Sequence, residues 1–264
     1  MTQAMNVDGR HNAALDMYLD LLKRSLTSTL HEAEPDVENE SEVTYLRDFI
    51  SHYIKGSAVS MLPLARFDNL QSCIVDVVAS KVPGDFIETG VWRGGAAIFM
   101  RAALKALEAD DRTVWVADSF EGLPEPDAEK FPLEAEAHRS YGLNSVYNNL
   151  AVGLEEVRAN FEAYGALDDK VKFLKGWFKD TLPAAPIESL AILRLDGDYY
   201  ESTMDALANL YDKLSIGGYV IIDDYGEESW TYCRQAVDDY RRDRGISEPM
   251  IRVDKRCFYW RRTR

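Results

Sequence analysis

Between residues 85 and 222, short apolar runs alternate with stretches of helical spacing, and this alternation restricts the fold more than any other feature. Phe86-Ile87-Glu88 runs into Thr89-Gly90-Val91-Trp92-Arg93-Gly94-Gly95 and then into an apolar helical stretch over 96–107. A second strand is expected over 113–117, ending at Asp118. Further strands are expected over 171–174, 190–195 and 219–222, with helices over 150–164 and 202–214 between them. Strands joined by helices lie parallel when the helices cross back over the sheet, so the pattern predicts an α/β fold whose sheet is covered on both faces. The C-terminus breaks the pattern. Strand-like runs over 250–253 and 257–260 are separated only by Asp254-Lys255-Arg256, a connection short enough for an antiparallel hairpin.

The first 80 residues read as helical. Leu15, Tyr18, Leu19, Leu22 and Leu26 form an apolar stripe within 13–30, which must cover either its own chain or a second copy in a homodimer. An acidic stretch over 32–42 precedes a second helical pattern over 43–54. The division expected is a helical extension over 1–80, serving as cofactor lid and dimer contact, and a catalytic domain over 81–264. A polar insertion at 123–149 carries Pro124, Pro126 and Pro132, and insertions of this length in α/β domains often act as lids. The 264 residues have a net charge of −15, which disfavours nucleic acid and anionic membranes as partners. No run of about 18 apolar residues exists, and residues 1–11 lack the apolar core of a signal peptide. Cys73, Cys233 and Cys257 are too scattered for a disulfide framework or a zinc site, and His11, His31, His52 and His138 are equally dispersed. These features predict a soluble cytoplasmic protein.

Three clusters could carry chemistry. In the turn after Phe86-Ile87, Glu88 stands where a dinucleotide fingerprint would begin with glycine, and a carboxylate there repels a pyrophosphate. The same carboxylate suits a ligand with an amino-acid ammonium, such as S-adenosylmethionine, although an ordinary strand-to-helix turn also explains the glycines. Asp118, at the end of the next strand, is placed to accept both ribose hydroxyls of an adenosine ligand or to cap a turn. The third cluster is Asp196-Gly197-Asp198-Tyr199-Tyr200, with Asp223-Asp224 at the following strand end. Neighbouring parallel strands would bring these acids to one edge, where like charges need a cation or a proton. Carboxylates without Cys or His select a hard ion, Mg²⁺ first, and the alternative is a solvated acidic rim. Asp196, Asp223 and Asp224 are the expected metal ligands and Asp198 the general base for an acceptor hydroxyl. Trp177 and Phe178 follow the strand at 171–174 and suit an adenine or the core. Tyr199, Tyr200, Tyr225 and Trp230 suit a sugar platform on the same terms.

The strings IETGVWRGGAAIFMRA, ADSFEGLPEPD, GWFKDTLP, LRLDGDYYESTMDAL, GGYVIIDDYG and CRQAVDDYR resemble the macrocin O-methyltransferase family over roughly residues 15–260. The family's enzymes use S-adenosylmethionine and a metal to methylate deoxysugar hydroxyls on antibiotics. The chain looks most like the aminocoumarin branch that acts on the 4-hydroxyl of noviose. The resemblance implies a class I S-adenosylmethionine-dependent methyltransferase, Rossmann-like, with a C-terminal antiparallel hairpin. It implies that Glu88, Thr89 and Gly90, followed by Val91 and Trp92, line the methionine end of the cofactor. Asp118 would hold the ribose, with Ser119 and Phe120 nearby, and Trp177 and Phe178 would lie by the adenine. Ser60 and Met61 would complete the pocket from the N-terminal side. Asp196, which serves catalysis as well as metal binding, Asp223 and Asp224 match the family's metal ligands, and Asp198 its base. The alternatives are a macrolide deoxysugar acceptor, a catechol-type phenol acceptor, a nicotinamide-dependent oxidoreductase and an interaction scaffold.

Overall fold

A computed structural model describes residues 13–36, 38, 44, 48–140, 150–226 and 231–264. Its strands are β1 (Asp85–Thr89), β2 (Val114–Asp118), β3 (Val171–Lys175), β4 (Leu190–Leu195), β5 (Leu214–Ile222), β6 (Ile251–Arg252) and β7 (Phe258–Arg261). They form one sheet in the order β3-β2-β1-β4-β5-β7-β6. Strands β1 to β5 pair in parallel, and β7 runs antiparallel to both β5 and β6. This is the class I methyltransferase sheet with its terminal hairpin. The largest departure from the sequence pattern is β5, which begins at Leu214 instead of 219. Its partners on β4 jump from Leu190↔Leu214 to Ile192↔Tyr219, and Gly217, at φ +90°, absorbs the bulge.

The helices in chain order are α1 (Ala13–Leu26), α2 (Leu64–Ala79), α3 (Gly95–Ala106), α4 (Pro132–Ser140), α5 (Leu154–Ala163), α6 (Phe178–Thr181), α7 (Tyr200–Leu210) and α8 (Thr231–Asp243). Because successive strand residues point to opposite faces, the strands feed two separate cores. Phe86, Val114, Val116, Ile192 and Ile221 pack with α1, α2, α3 and α5 on one face. Ile87, Trp115, Ala117, Leu193, Leu195, Val220 and Ile222 pack with α7 and α8 on the other. The alternation of short strands and helices thus builds the two-sided cover it predicts.

The leucines of the N-terminal stripe are covered by their own chain, whereas Tyr18 is 45% exposed. Leu15, Leu19, Leu22 and Leu26 are buried in the same core as Phe67 and Phe86. The helix stops at Leu26 instead of 30, because Ser28 turns the chain at φ +58°. Of the pattern over 43–54, residues 43 and 45–47 lie outside the described residues, and a π-turn forms at Ile50–Ile54. Helix α5 starts at Leu154 instead of 150. Helix α7 starts at Tyr200 and gives way to a 3-10 turn at Tyr211–Lys213. The insertion contributes α4, and its residues 141–149 lie outside the described set. Among the described residues no helix is long and apolar enough to cross a membrane, and the three cysteines are buried and unpaired.

Candidate active site

Sheet order reverses between β1 and β4, and such a switch point opens a crevice at the C-terminal strand ends. Here it is a cavity of about 690 Å³. Gly90 and Trp92 line it from the end of β1, Asp118 and Ser119 from β2, Trp177 and Phe178 from β3, and Asp196 and Asp198 from β4. Met61 enters from the segment before α2, and Phe131 and Tyr200 close the opposite wall. Each of the four stretches expected at the cofactor therefore contributes to one cavity, together with Asp196 and Asp198 of the acidic cluster.

Gly90 shows how closely the first turn is drawn in. It sits at φ +85°, and a Cβ there would lie 1.7 Å from the Asp196 carbonyl oxygen. Gly90→Ala is therefore expected to destabilise the protein, by about 1–2 kcal/mol for the left-handed backbone and about 1–3 kcal/mol for the overlap. Thermal unfolding measures the loss.

Other expected cofactor residues lie behind the lining. Glu88, Thr89, Ser60 and Val91 are buried, and Phe120 is a core side chain whose ring centroid is 6.4 Å from that of Phe173. Ser60 serves the backbone, its Oγ accepting from the Leu62 amide. The Thr89 hydroxyl donates weakly to the Arg194 carbonyl at 3.4 Å. Val91 and Phe120 contribute through their amides, which donate to Asp118 Oδ2 and Oδ1 at 2.7 Å each. Asp118 thus ties two turns together at the cavity wall. Burial pushes its carboxyl up, while the amides of Val91, Phe120 and Trp92 and the Ser119 hydroxyl pull it down. Of the aromatic platform, Tyr200 lines the cavity, whereas Tyr199 is buried and Tyr225 hydrogen-bonds Asp238. Trp230 lies outside the described residues.

The acidic cluster forms where β4 and β5 end side by side. One carboxylate oxygen from each of Asp196, Asp223 and Asp224 falls within 4.8 Å of the others. Much of the charge is balanced by the chain itself. Arg194, the one cation in the run Leu-Ala-Ile-Leu-Arg-Leu of β4, is buried and faces the same side as Glu88 on β1 and Asp223 past β5. Its Nη1 donates to Glu88 Oε1 at 2.6 Å and to Asp196 Oδ2 at 3.0 Å, and its Nη2 to Asp223 Oδ1 at 2.7 Å. Arg66, at the start of α2, donates to Asp223 Oδ2 at 2.5 Å and to Asp254 Oδ2 at 2.6 Å. The sequence pattern points to a metal or a proton for this compensation, and the site expected from it includes neither arginine. A lone Arg in an apolar strand was the available signal for Arg194, whereas nothing local marks Arg66.

Two oxygens are left over. Glu88 Oε2 and Asp224 Oδ2 are buried and make no hydrogen bond of ordinary geometry. Burial pushes the Glu88 carboxyl up to about 8, against the pull of Arg194 and a weaker one from the Ala97 amide at the start of α3. The Asp224 carboxyl is pushed well above the usual range by burial and by Asp198, Asp196 and Asp223. Asp196 rises to about 6, from burial and Asp223, opposed by Arg194. A cation near Asp224 would relieve the remaining repulsion, and all-carboxylate donors suit a hard divalent ion. Asp198 bears on the same cluster from the loop after β4, in a left-handed conformation at φ +58°.

Known proteins resemble this chain over nearly its whole length. The profile of the macrocin-O-methyltransferase (TylF) family matches residues 54–262. The 8-demethyl-8-(2,3-dimethoxy-alpha-L-rhamnosyl)-tetracenomycin-C 4'-O-methyltransferase of Streptomyces olivaceus is 52% identical over 257 residues, 95% of this chain and 94% of that protein. The demethyldecarbamoylnovobiocin O-methyltransferase of Streptomyces niveus is 46% identical over 257 residues, 96% of each chain. The solved structure of the O-methyltransferase NovP superposes with a TM-score of 0.82 at 45% identity, covering 95% of this chain and all of that one.

Proposed function

The chain belongs to the macrocin O-methyltransferase family of S-adenosylmethionine-dependent O-methyltransferases, and we propose that its acceptor is a hydroxyl of a 6-deoxyhexose on a glycosylated natural product, activated with the help of Mg²⁺. The observation that carries this reading is the carboxylate set Asp196, Asp223 and Asp224, with the unpartnered Asp224 Oδ2, beside the cofactor cavity. A sugar hydroxyl holds its proton far too tightly to attack unaided, so a site for it needs both a Lewis acid and a base. Asp196, Asp223 and Asp224 would hold Mg²⁺, which would supply the Lewis acid. Asp198 takes the proton. A phenol acceptor would need less help to ionise, and a nicotinamide cofactor would meet Glu88 where its pyrophosphate requires glycine.

S-adenosylmethionine supplies the electrophilic methyl group. The chain's part is to hold it in line with the acceptor oxygen. Asp118 is placed for the ribose and Trp177 and Phe178 for the adenine. Glu88 stands behind Gly90 with its buried Oε2 free of hydrogen bonds of ordinary geometry, and the amino-acid ammonium would draw its raised carboxyl into the ionised form. The insertion, through Phe131 and its neighbours on the cavity wall, serves as the cover that excludes water. The 4-hydroxyl is the preferred position. The Streptomyces olivaceus relative is named for 4'-O-methylation beside a rhamnosyl group, and the novobiocin relative fits the noviose acceptor suggested by the motifs.

The test is methyl transfer to desmethyl noviosyl and rhamnosyl glycosides, a macrolide deoxysugar and a catechol, with the methylated position read by NMR. Methylation at the sugar 4-hydroxyl is expected, and methylation of the catechol alone would overturn the reading. Glu88→Gln is expected to weaken S-adenosylhomocysteine binding by about 10-fold or more, since a charge-assisted contact contributes about 1.5–3 kcal/mol. Calorimetric titration measures the shift.

A further inference from the structure

Helix α4, from the insertion, does more than cover the cavity. Phe131, Glu134 and His138 fall at i, i+3 and i+7 and so share one face. That face meets Tyr199 and Tyr200, the two residues that follow Asp198. The Phe131 ring stacks on Tyr200 with centroids 4.9 Å apart and planes at 28°. Glu134, only 1% exposed, accepts from the Tyr200 amide at 3.1 Å and so caps the start of α7. His138 Nδ1 lies 2.8 Å from the Tyr199 hydroxyl, and Tyr199 is 1% exposed. Immediately before this gripped pair, Asp198 holds a left-handed backbone. Aspartate enters this region more readily than most residues, and the contacts on Tyr199 and Tyr200 fix the chain that leaves it.

We infer that α4 is a clasp whose Glu134 and His138 are positioning residues, fixing Tyr199 and Tyr200 so that Asp198 is held in the orientation its work as base requires. The inference rests on the reading of Asp198 as base. It makes the insertion part of the reaction machinery through Glu134 and His138, neither of which lines the cavity.

The experiment is a double-mutant cycle between Glu134 and Asp198, with kcat, acceptor KM and S-adenosylhomocysteine affinity measured for each variant. Glu134→Ala is expected to lower kcat about 10- to 100-fold, the scale of a misplaced catalytic group, with cofactor affinity unchanged. Glu134→Gln keeps an acceptor oxygen for the Tyr200 amide and is expected to restore most of kcat. In the Asp198→Asn background, Glu134→Ala is expected to add no further loss, because both changes remove one function. The same factor of loss in both backgrounds, or a rise in acceptor KM alone, would overturn the clasp and leave the base assignment standing. Wild-type turnover by Asp198→Asn would remove the base and the clasp with it. If Glu134→Ala fails to fold, Tyr199→Phe, which deletes only the hydroxyl facing His138, enters the same cycle with the same expected pattern.

Discussion

Asp198→Asn is expected to lower turnover by about 10²–10⁴-fold, the usual contribution of a positioned general base, while S-adenosylhomocysteine binds as before. Asparagine has nearly the same shape and tolerates the left-handed backbone that Asp198 adopts at φ +58°, so the fold has no reason to change. What disappears is the ability to take a proton beside Asp196 and Asp224. The loss should appear in kcat with little change in acceptor KM, since the group acts on the reaction and not on the ground-state complex. A rise in KM at constant kcat would place Asp198 among the binding groups instead.

Arg194→Met is expected to destabilise the protein by about 3–5 kcal/mol, the cost of breaking a buried ion pair from one side. Arg194 is 1% exposed and serves Glu88, Asp196 and Asp223 at once, from the penultimate position of a strand that is buried throughout. Methionine fills the space but leaves Glu88 Oε1 with no donor and Asp223 held only by Arg66. Arg194→Lys keeps the charge, yet one ammonium on a flexible stem cannot reproduce a planar fork that reaches three carboxylates. Its loss should be smaller than that of the methionine variant, and urea denaturation of both ranks them. Equal stability of all three proteins would mean that the network is solvated and structurally idle.

The two variants probe parts of the site that were unequally legible in the sequence. The strands and the acids at their ends could be read because both signals are local: an apolar run followed by Asp118, Asp196 or Asp223. The register of β1 on β4, which sets Glu88 opposite Arg194, is a long-range pairing that no local pattern records. The contact of Arg66 with Asp254, 188 residues apart, is of the same kind. Ser60 and Met61 could be named from family likeness alone, and of the two only Met61 reaches the cavity. Helix α4 was hidden for a different reason. It exposes Leu133 at 67% and buries Glu134 at 1%, the reverse of an amphipathic helix, so hydrophobic periodicity is blind to it. Its surroundings, with Pro124, Pro126 and Pro132, read only as a polar insertion and lid, and its structural partners are tyrosines that suit a sugar platform.

The most direct test of the account is metal removal. Protein stripped by chelator is titrated with Mg²⁺ in a calorimeter and assayed in parallel on a desmethyl deoxysugar glycoside, beside Asp224→Asn. The account predicts that turnover is lost on stripping and returns with Mg²⁺. It also predicts that Asp224→Asn binds Mg²⁺ at least about 10-fold more weakly, the scale of a lost charge-assisted contact, and still binds S-adenosylhomocysteine. Full turnover by stripped protein, with no Mg²⁺ binding in the wild type, would contradict it and leave Arg66 and Arg194 as the counter-charges that the described residues supply at this acidic edge.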